Sequence, residues 1–291
     1  MASDLLDLIH LRPLMERTTG RPEILIGLID GPVALDHSEL NTRSIREIPT
    51  TGGGRCTRTG SAACSHGTFV AGILTAHRGS AAAAICPDCT LLIRPIFTEE
   101  VGLNGNLPSA TPEQLSQAIF DCIKAGAHLI NISAGIAQPS LRSERSLADA
   151  LDEAVRRGIV VVAAAGNQRS LGSTTITRHP WVVPVAAYDL QGRPIGQSNL
   201  GVSIGRRGIG APGEAITSLG SEGKPLTLGG TSAATPFVTG TLALLWSEFP
   251  RATATQIKFA VTELNVKRRL TVVPPLINAW AAYQRMRRWF Q

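Results

Sequence analysis

Residues 229–240 read GGTSAATPFVTG, and an apolar stretch rich in leucine follows over residues 242–246. Proline is tolerated in a helix near its first turn, so Pro236 predicts that a helix begins close to Ser232. The simplest interpretation is that Ser232 caps this helix. A second interpretation is that Ser232 is a nucleophile, which requires a base and a group that orients the base elsewhere in the chain.

The composition around this stretch is that of a folded protein. The chain has 291 residues, of which 43% are hydrophobic and 17% charged, and this excludes a disordered protein. We expect one domain over residues 1–291. Within it, residues 1–22 form an N-terminal extension and residues 265–291 a C-terminal helical cap.

The charge pattern limits the classes of partner that the chain is expected to bind. Lys and Arg number 28 against 22 Asp and Glu, a net charge of +6, and basic residues cluster with aromatic ones only in the stretch RMRRWF at 285–290. We interpret this cluster as a solvated face, which leaves an acidic peptide as one option, and we expect no nucleic-acid partner. The sequence gives no indication of oligomeric state.

The start of the chain and its hydropathy predict location. The first leucines are interrupted by Asp4, Asp7 and His10, so no secretory signal is visible. No stretch reaches the roughly 18 apolar residues that a membrane span needs. We therefore expect a soluble cytoplasmic protein without a membrane partner.

The chain contains five cysteines, whose pairing the sequence leaves open. Cys56 and Cys64 bracket a glycine-rich loop, and Cys122 lies in an apolar helical pattern that predicts a core position. Cys86 and Cys89 form CPDC, but no second ligand pair follows at zinc spacing. We expect reduced thiols or a loop disulfide at CPDC, and no bound metal or cofactor.

Short apolar runs alternate with helical patterns along the chain. Thr111 and Pro112 mark the start of one such helix as cap and first residue. The alternation predicts an α/β fold with a mainly parallel central sheet covered by helices on both faces. The apolar runs lie at 24–29, 91–97, 128–133, 159–165 and 181–187, and the helical patterns at 66–77, 112–125, 144–157, 253–264 and 276–290.

Three polar residues stand at the ends of these runs or at the start of a helix. Ligands of open α/β sheets bind beyond the carboxyl ends of the strands, so these residues are candidates for a site. Asp30 follows the run at 24–29, His66 opens a predicted helix, and Asn167 follows the run at 159–165. Each residue alone has an ordinary interpretation: a loop cap, a structural histidine and a turn residue. Together with Ser232, the set favours a catalytic site.

Four motifs carry a resemblance to a known family. LIDG (28–31), SHGTFVAG (65–72), AAAGN (163–167) and GTSAATP (230–236) resemble, in the same order, the signature blocks of the subtilisin-like serine peptidases. The resemblance implies a subtilisin-like three-layer fold and a serine endopeptidase that works through an acyl-enzyme.

The same resemblance implies a role for each polar residue. Asp30 matches the triad aspartate, His66 the base and Ser232 the nucleophile. Asn167 matches the amide that stabilises the oxyanion, together with the backbone N–H of Ser232. A helix start at Ser232 would favour that negative charge.

The segment NISAGI (131–136) resembles the substrate-binding strand of the family. We therefore expect Ser133, Ala134 and Gly135 to pair with an extended peptide substrate. Gly166, in the small-residue run before Asn167, is assigned to the same substrate-binding set.

Two residues depart from the family pattern. Phe69 stands where a second histidine is common, and Ala233 where methionine is common, but neither change removes a catalytic group. The loop HRGSAAAAICP (77–87) offers few oxygen side chains. We expect no calcium site there, because calcium needs several oxygen ligands.

Longer stretches resemble the cyanobactin-type maturation peptidases more than secreted subtilisins. They are LIDGPVALDHSEL (28–40), CPDCTLLIRPIFTEE (86–100) and AGAHLINIS (125–133). This resemblance implies cleavage of a ribosomally made precursor peptide between leader and core. Macrocyclising relatives carry an inserted helical lid, and no such segment is visible in the sequence, so we expect a linear product.

Three alternatives remain open at this stage. The chain could be a general intracellular subtilisin-like peptidase or a peptide macrocyclase. It could also be a peptide-binding scaffold without activity, although such a binder would need none of the four polar groups.

Overall fold

The computed structural model describes residues 5–49, 55–99, 110–133, 141–262 and 271–291. The α-helices in these ranges are α1 (Leu5–Leu8), α2 (Arg12–Arg17), α3 (Ala62–Thr75), α4 (Pro112–Lys124), α5 (Leu141–Arg156), α6 (Thr175–Arg178), α7 (Val202–Arg207), α8 (Thr231–Glu248), α9 (Ala254–Thr262) and α10 (Ala279–Trp289). The strands are β1 (Leu25–Asp30), β2 (Ile45–Glu47), β3 (Thr90–Pro95), β4 (Leu129–Ile132), β5 (Val160–Ala164), β6 (Val183–Tyr188), β7 (Ile209–Pro212), β8 (Ile216–Leu219) and β9 (Pro225–Leu228). No helix in these ranges is long and apolar enough to cross a bilayer.

Seven strands form one sheet in the order β2-β3-β1-β4-β5-β6-β7, and every neighbouring pair is parallel. The chain order reverses at β1, which lies between β3 and β4. Strands β8 and β9 form a separate antiparallel hairpin. The α/β prediction is confirmed, and all five predicted apolar runs are strands.

Helices cover both faces of the sheet, which gives the predicted three layers. On one face, α3 and α8 contribute Phe69, Ile73 and Phe237 to the larger core cluster. On the other face, α4 and α5 contribute Leu115 and Leu151 to a second cluster. Helix α8 is buried along nearly its whole length, as expected of a helix that is apolar all round.

Local capping explains where α3 and α4 begin, and it corrects one prediction. Thr111 and Gln114 form a capping box at the start of α4, as Thr111 and Pro112 predicted. Helix α3 instead begins four residues before His66, because the side chain of Ser61 accepts a hydrogen bond from the Cys64 N–H. His66 therefore lies in the second turn and does not open the helix.

The capping interpretation of Ser232 is wrong. Gly230 occupies the N-cap of α8 with a φ of 117°, a conformation that favours glycine, and Ser232 is the second residue of the helix. Pro236 lies inside α8 rather than in its first turn. The Ser232 hydroxyl is therefore not needed to start this helix.

The two ends of the chain pack together beside the main core. Ile9, Leu11 and Leu14 are buried in the same cluster as α8, and the Ala279 N–H donates to the carbonyl of Ile9 at 3.0 Å. Helix α10 thus lies against the N-terminal segment as well as against α9.

The cysteines divide into one disulfide and three buried thiols. Cys56 and Cys64 are bonded, with their Cα atoms 5.5 Å apart. Cys86 and Cys89 are free and buried, so CPDC holds thiols and no disulfide. Cys122 lies in the core as predicted.

Candidate active site

Asp30 is the last residue of β1 and is completely buried. Its Oδ1 accepts hydrogen bonds from the Gly31 N–H at 2.6 Å and from His66 Nδ1 at 2.7 Å. Its Oδ2 is buried without a hydrogen-bond partner in the described part of the chain. Burying a carboxylate is costly unless it is paired, so His66 is the group that offsets this cost.

Gly67 allows α3 to approach the end of β1 closely. A Cβ at this position would lie 2.4 Å from the carbonyl oxygens of both Gly31 and Pro32. Any side chain here would push α3 away from the residues that follow Asp30. The glycine after His66 therefore sets the contact between imidazole and carboxylate.

The hydrogen bond to Asp30 determines the state of the imidazole. Burial is the largest single influence on the pKa of His66 and lowers it. The negative charge of Asp30 and the hydrogen bond to it together outweigh burial and raise the pKa above the ordinary value of 6.5. Because a carboxylate only accepts, Nδ1 carries the proton, and the lone pair of the neutral ring is on Nε2. The ring can then take a proton through Nε2.

Pro236 changes the hydrogen bonding of the nucleophile candidate. Ser232 is four residues before Pro236, and proline has no N–H to donate to the Ser232 carbonyl. That carbonyl accepts instead from the Ser133 hydroxyl at 3.1 Å. The interior proline thus links the Ser232 backbone to the end of β4 rather than to its own helix.

Ser133 is itself held by two buried polar residues that the sequence analysis missed. Asn131 Nδ2 donates to Ser133 Oγ at 2.8 Å, and Thr239 Oγ1 donates to Asn131 Oδ1 at 2.8 Å. Both Asn131 and Thr239 are completely buried. The available signal was a polar residue inside the apolar run at 128–133, since a buried amide needs partners.

Asn167 is oriented by Thr231, a second residue that the sequence analysis missed. Asn167 Oδ1 accepts from the Thr231 N–H at 2.9 Å and from Thr231 Oγ1 at 3.1 Å. A backbone N–H can only donate, so the atom facing it is the amide oxygen. This orientation leaves Nδ2, the donor end, for a substrate oxygen.

Gly166 precedes the amide with a φ of 103°, and its N–H donates to Thr231 Oγ1 at 3.1 Å. Thr231 therefore contacts two consecutive residues of this loop. The sequence feature from which this role of Thr231 could have been predicted is its position immediately before Ser232 in GTSAATP.

Sheet register brings the predicted residues to one edge. Ile29 pairs with Ile132, and Ile132 pairs with Ala163, so β1, β4 and β5 end side by side. The residues that follow these strands meet the start of α8 through the hydrogen bonds to Thr231 and Ser232. Asp30, His66, Ser133, Gly166, Asn167 and Ser232 are thus gathered at the carboxyl edge, as ligand sites of parallel sheets are. Ala134 and Gly135 lie outside the described residues.

One side-chain group in the described ranges has the composition of a metal site. Potential ligand atoms of Cys56, Cys64 and Glu99 lie within 4.8 Å of one another. The two sulfurs are joined in the disulfide, and Glu99 accepts hydrogen bonds from the Thr57 and Arg58 N–H groups. We therefore assign no metal to this group.

Comparison with known proteins gives the family context. The model of the subtilase family matches residues 21–268. The thermostable alkaline protease of Halalkalibacterium halodurans is 32% identical over 199 residues. That match covers 68% of this chain and 51% of the relative, so the chain matches about half the length of that protein.

Two solved structures are similar over nearly the whole chain. The protease domain of PatA has a TM-score of 0.83 and 29% identity, covering 93% of this chain and 97% of that domain. The prenylagaramide maturation protease PagA has a TM-score of 0.80 and 29% identity, covering 95% of this chain and 98% of PagA.

Proposed function

The chain belongs to the subtilase family of subtilisin-like serine peptidases, and from that premise we propose that it is an endopeptidase that cleaves its substrate through an acyl-enzyme on Ser232. The observation that carries the proposal is the 2.7 Å hydrogen bond between buried Asp30 and His66, at the sheet edge where α8 begins. A buried aspartate beside a histidine whose Nε2 carries the lone pair is the arrangement that activates a serine hydroxyl.

In this proposal each group of the triad has one task. Neutral His66 takes the proton of the Ser232 hydroxyl through Nε2 as the oxygen attacks the substrate carbonyl. Protonated His66 then gives that proton to the leaving amine. In the second half, His66 takes a proton from the water that attacks the acyl-enzyme and returns it to the Ser232 oxygen. Asp30 holds Nδ1–H and stabilises the imidazolium.

Asn167 stabilises the oxyanion that forms during the attack. Thr231 turns the oxygen of the amide away from the substrate, so that Nδ2 donates to the developing negative charge. The backbone N–H of Ser232, in the first turn of α8, is the second donor. Donors held in place in this way lower the barrier because they need no reorganisation during the reaction.

For the substrate, we propose a precursor peptide cut between leader and core. Support comes from the similarity to PagA, a maturation protease, and from the stretches that resemble cyanobactin-type peptidases. We propose that the peptide pairs as an extended strand with the segment after β4, which starts at Ser133 and includes Ala134 and Gly135. Gly166 belongs to the same substrate-binding set through close contact, because its own N–H and carbonyl are bonded to Thr231 and Asn199. We propose no nucleic-acid or membrane partner and no cofactor.

Mass spectrometry of leader–core peptides incubated with the protein tests this proposal, with Ser232→Ala as the matched control. We expect a cut at the junction and a linear core. A core that has lost the mass of water would indicate macrocyclisation, and broad cleavage of a mixed peptide library would indicate a general peptidase. Peptide binding without any cleavage would support the scaffold alternative and overturn the proposal.

We also keep a cytoplasmic location as part of the proposal, and it has a consequence for the disulfide. In a reducing compartment, the Cys56–Cys64 bond would open. The bond joins Cys56, in the loop before α3, to Cys64 in the first turn of α3 and includes no triad residue, so we expect peptidase activity to persist in the presence of a small thiol reductant. Complete loss of activity under those conditions would argue for an oxidising compartment.

A further inference from the structure

Asn199 lies between β6 and α7, and its buried side chain binds the loop that carries Asn167. Its Oδ1 accepts from the Gln168 N–H at 2.9 Å and from the Ser170 N–H at 3.1 Å. Its Nδ2 donates to the Ala165 carbonyl at 3.1 Å and to Gln168 Oε1 at 2.6 Å. One amide thus makes four hydrogen bonds to residues on both sides of Asn167.

The backbone of the same segment strengthens this attachment. The Asn199 N–H donates to the Gly166 carbonyl at 2.8 Å, and the Leu200 N–H donates to the Ser170 carbonyl at 3.0 Å. Asn199 also packs closely on Gly166, where a Cβ would lie 2.4 Å from Asn199 Nδ2. Residues 165–170 are therefore held along their length by Asn199 and its neighbours.

The loop needs such support because one of its residues has an unfavourable backbone conformation. Gly166 has a φ of 103°, which glycine adopts readily, but Arg169 has a φ of 55°, which is uncommon for a residue with a side chain. A conformation such as that of Arg169 persists only when surrounding contacts enforce it. Asn199 supplies contacts on both sides of Arg169, through the N–H groups of Gln168 and Ser170.

We infer that Asn199 is the positioning residue for the oxyanion amide: it fixes the backbone of the Asn167 loop, while Thr231 fixes the rotation of the Asn167 side chain. This inference rests on the proposed role of Asn167. A donor stabilises the oxyanion only at about 2.7–3.1 Å from it, so a displaced loop loses the interaction in the transition state. The interaction is weak in the ground state, so substrate binding is affected little.

The test compares Asn199→Ala and Asn199→Asp with the wild type in steady-state peptide cleavage. Asn199→Ala removes all four side-chain hydrogen bonds and leaves two backbone N–H groups unpaired. Asn199→Asp keeps the oxygen that accepts from those N–H groups, but it places a second oxygen, in place of the NH₂ donor, against the Ala165 carbonyl. This variant is used for the test if Asn199→Ala does not fold. We expect kcat to fall roughly 10- to 100-fold in Asn199→Ala and less in Asn199→Asp. KM should stay within about twofold.

A matched control separates positioning from general loss of stability. Asn278→Ala removes the cap of α10, where Asn278 accepts from the Ala281 N–H at 2.8 Å, on a helix that carries no site residue. We expect this variant to melt at a lower temperature with kcat unchanged. A fall of kcat in Asn278→Ala equal to that in Asn199→Ala would contradict a positioning role.

The decisive measurement repeats Asn199→Ala in the Asn167→Gly background. If Asn199 acts through the Asn167 amide, its substitution should cause little further loss of kcat once the amide is absent. An equal fold-reduction of kcat in both backgrounds would overturn the inference about Asn199 but not the role of Asn167. The same holds if a folded Asn199 variant has normal kcat while Asn167→Gly is slow. Normal kcat in Asn167→Gly would overturn both the inference and the proposed oxyanion role.

Discussion

At the scale of single residues, the Asp30–His66 pair is the feature on which the chemistry depends. Asp30 Oδ1 serves two donors while Oδ2 is buried without a partner in the described ranges. The carboxylate is therefore held by few contacts, and His66 is the side chain among them. Burial lowers the pKa of His66, but the charge of Asp30 and the hydrogen bond to it outweigh burial and raise that pKa.

The first prediction concerns the substitution Asp30→Asn. The amide keeps the shape but removes the negative charge that stabilises the imidazolium, and wherever its NH₂ group faces Nδ1 it donates a hydrogen bond there and imposes the wrong tautomer. We expect kcat to fall by about 10⁴-fold, the loss typical when the orienting carboxylate of a triad becomes an amide. Circular dichroism should show a folded variant. A folded Asp30→Asn enzyme with wild-type kcat would show that Asp30 is not the orienting group.

The second prediction concerns pH, where activity and stability should change in opposite directions. Only neutral His66 accepts the serine proton, so kcat/KM, which reports the free enzyme, should rise with pH, with a midpoint above 6.5 because the pKa of His66 is raised. His66 binds its proton more tightly in the folded than in the unfolded chain. Its contribution to stability is therefore fully present below pH 6.5 and is lost as the pH rises through the raised pKa.

Rate profiles and thermal melts of the wild type and His66→Gln test this pair of expectations. The stability advantage of the wild type over the variant should shrink as the pH increases. A kcat/KM midpoint below 6.5, or a stability advantage that grows with pH, would contradict the raised pKa of His66.

At the scale of elements, close approach of α3 to the end of β1 holds the pair together. Glycine makes this approach possible at position 67, where the neighbouring atoms are backbone carbonyls that cannot rotate away. Pro236 has a corresponding effect in α8, since it frees the Ser232 carbonyl for Ser133. Gly67 acts because it has no Cβ, and Pro236 acts because it has no backbone N–H.

The third prediction is that Gly67→Ala lowers both stability and activity. The added Cβ would force α3 away from β1, and overpacking of this kind costs about 1–3 kcal/mol of unfolding free energy. We expect kcat to fall as well, because Asp30 and His66 separate. Gly196→Ala is the control: its Cβ would have nothing within 4 Å, so its unfolding free energy should change by about 0.5 kcal/mol or less. Equal melts and rates for the two variants would contradict this account.

The sequence predicted elements better than contacts. The runs at 24–29 and 159–165 are apolar and rich in branched residues, so the central strands were recognisable. The edge strands β2 (IRE) and β7 (IGAP) contain no such apolar run. The start of α3 was missed because its cap, Ser61, precedes a stretch of small residues without helical periodicity.

Within the site, the four signature motifs predicted which residues meet at the sheet edge. They did not predict the residues that hold them. Thr231, Asn131 and Thr239 act through hydrogen bonds between elements distant in sequence, and such pairings depend on tertiary structure.

At the scale of the whole molecule, both chain ends join the core on the α8 face of the sheet. Arg17 at the end of α2 pairs with Glu248 in α8 and lies over the ring of Tyr283 in α10. Leu14 and Met286 belong to the same buried cluster. We propose that residues 1–22 and 265–291 unfold together with the peptidase core, as one cooperative domain over 1–291.

The fourth prediction tests this cooperativity with Leu14→Ala. Removing a fully buried leucine should lower the unfolding free energy by about 2–5 kcal/mol and shift one common thermal transition. Val202→Ala, at a position that is 61% exposed, should shift it little. Calorimetry with two separate transitions, only one of them sensitive to Leu14→Ala, would show that the N-terminal segment unfolds on its own.

Rapid acid quenching followed by peptide mapping shows directly whether Ser232 forms the acyl-enzyme. An ester has a good leaving group, so with a peptide ester we expect hydrolysis of the acyl-enzyme to be the slow step and the intermediate to accumulate. Ser232→Ala should remain folded, because Gly230 and not Ser232 caps α8. We expect the mass of the acyl group on the fragment that contains Ser232, and neither adduct nor turnover in Ser232→Ala. An acyl group on another residue, or undiminished turnover by pure Ser232→Ala, would show that Ser232 is not the nucleophile.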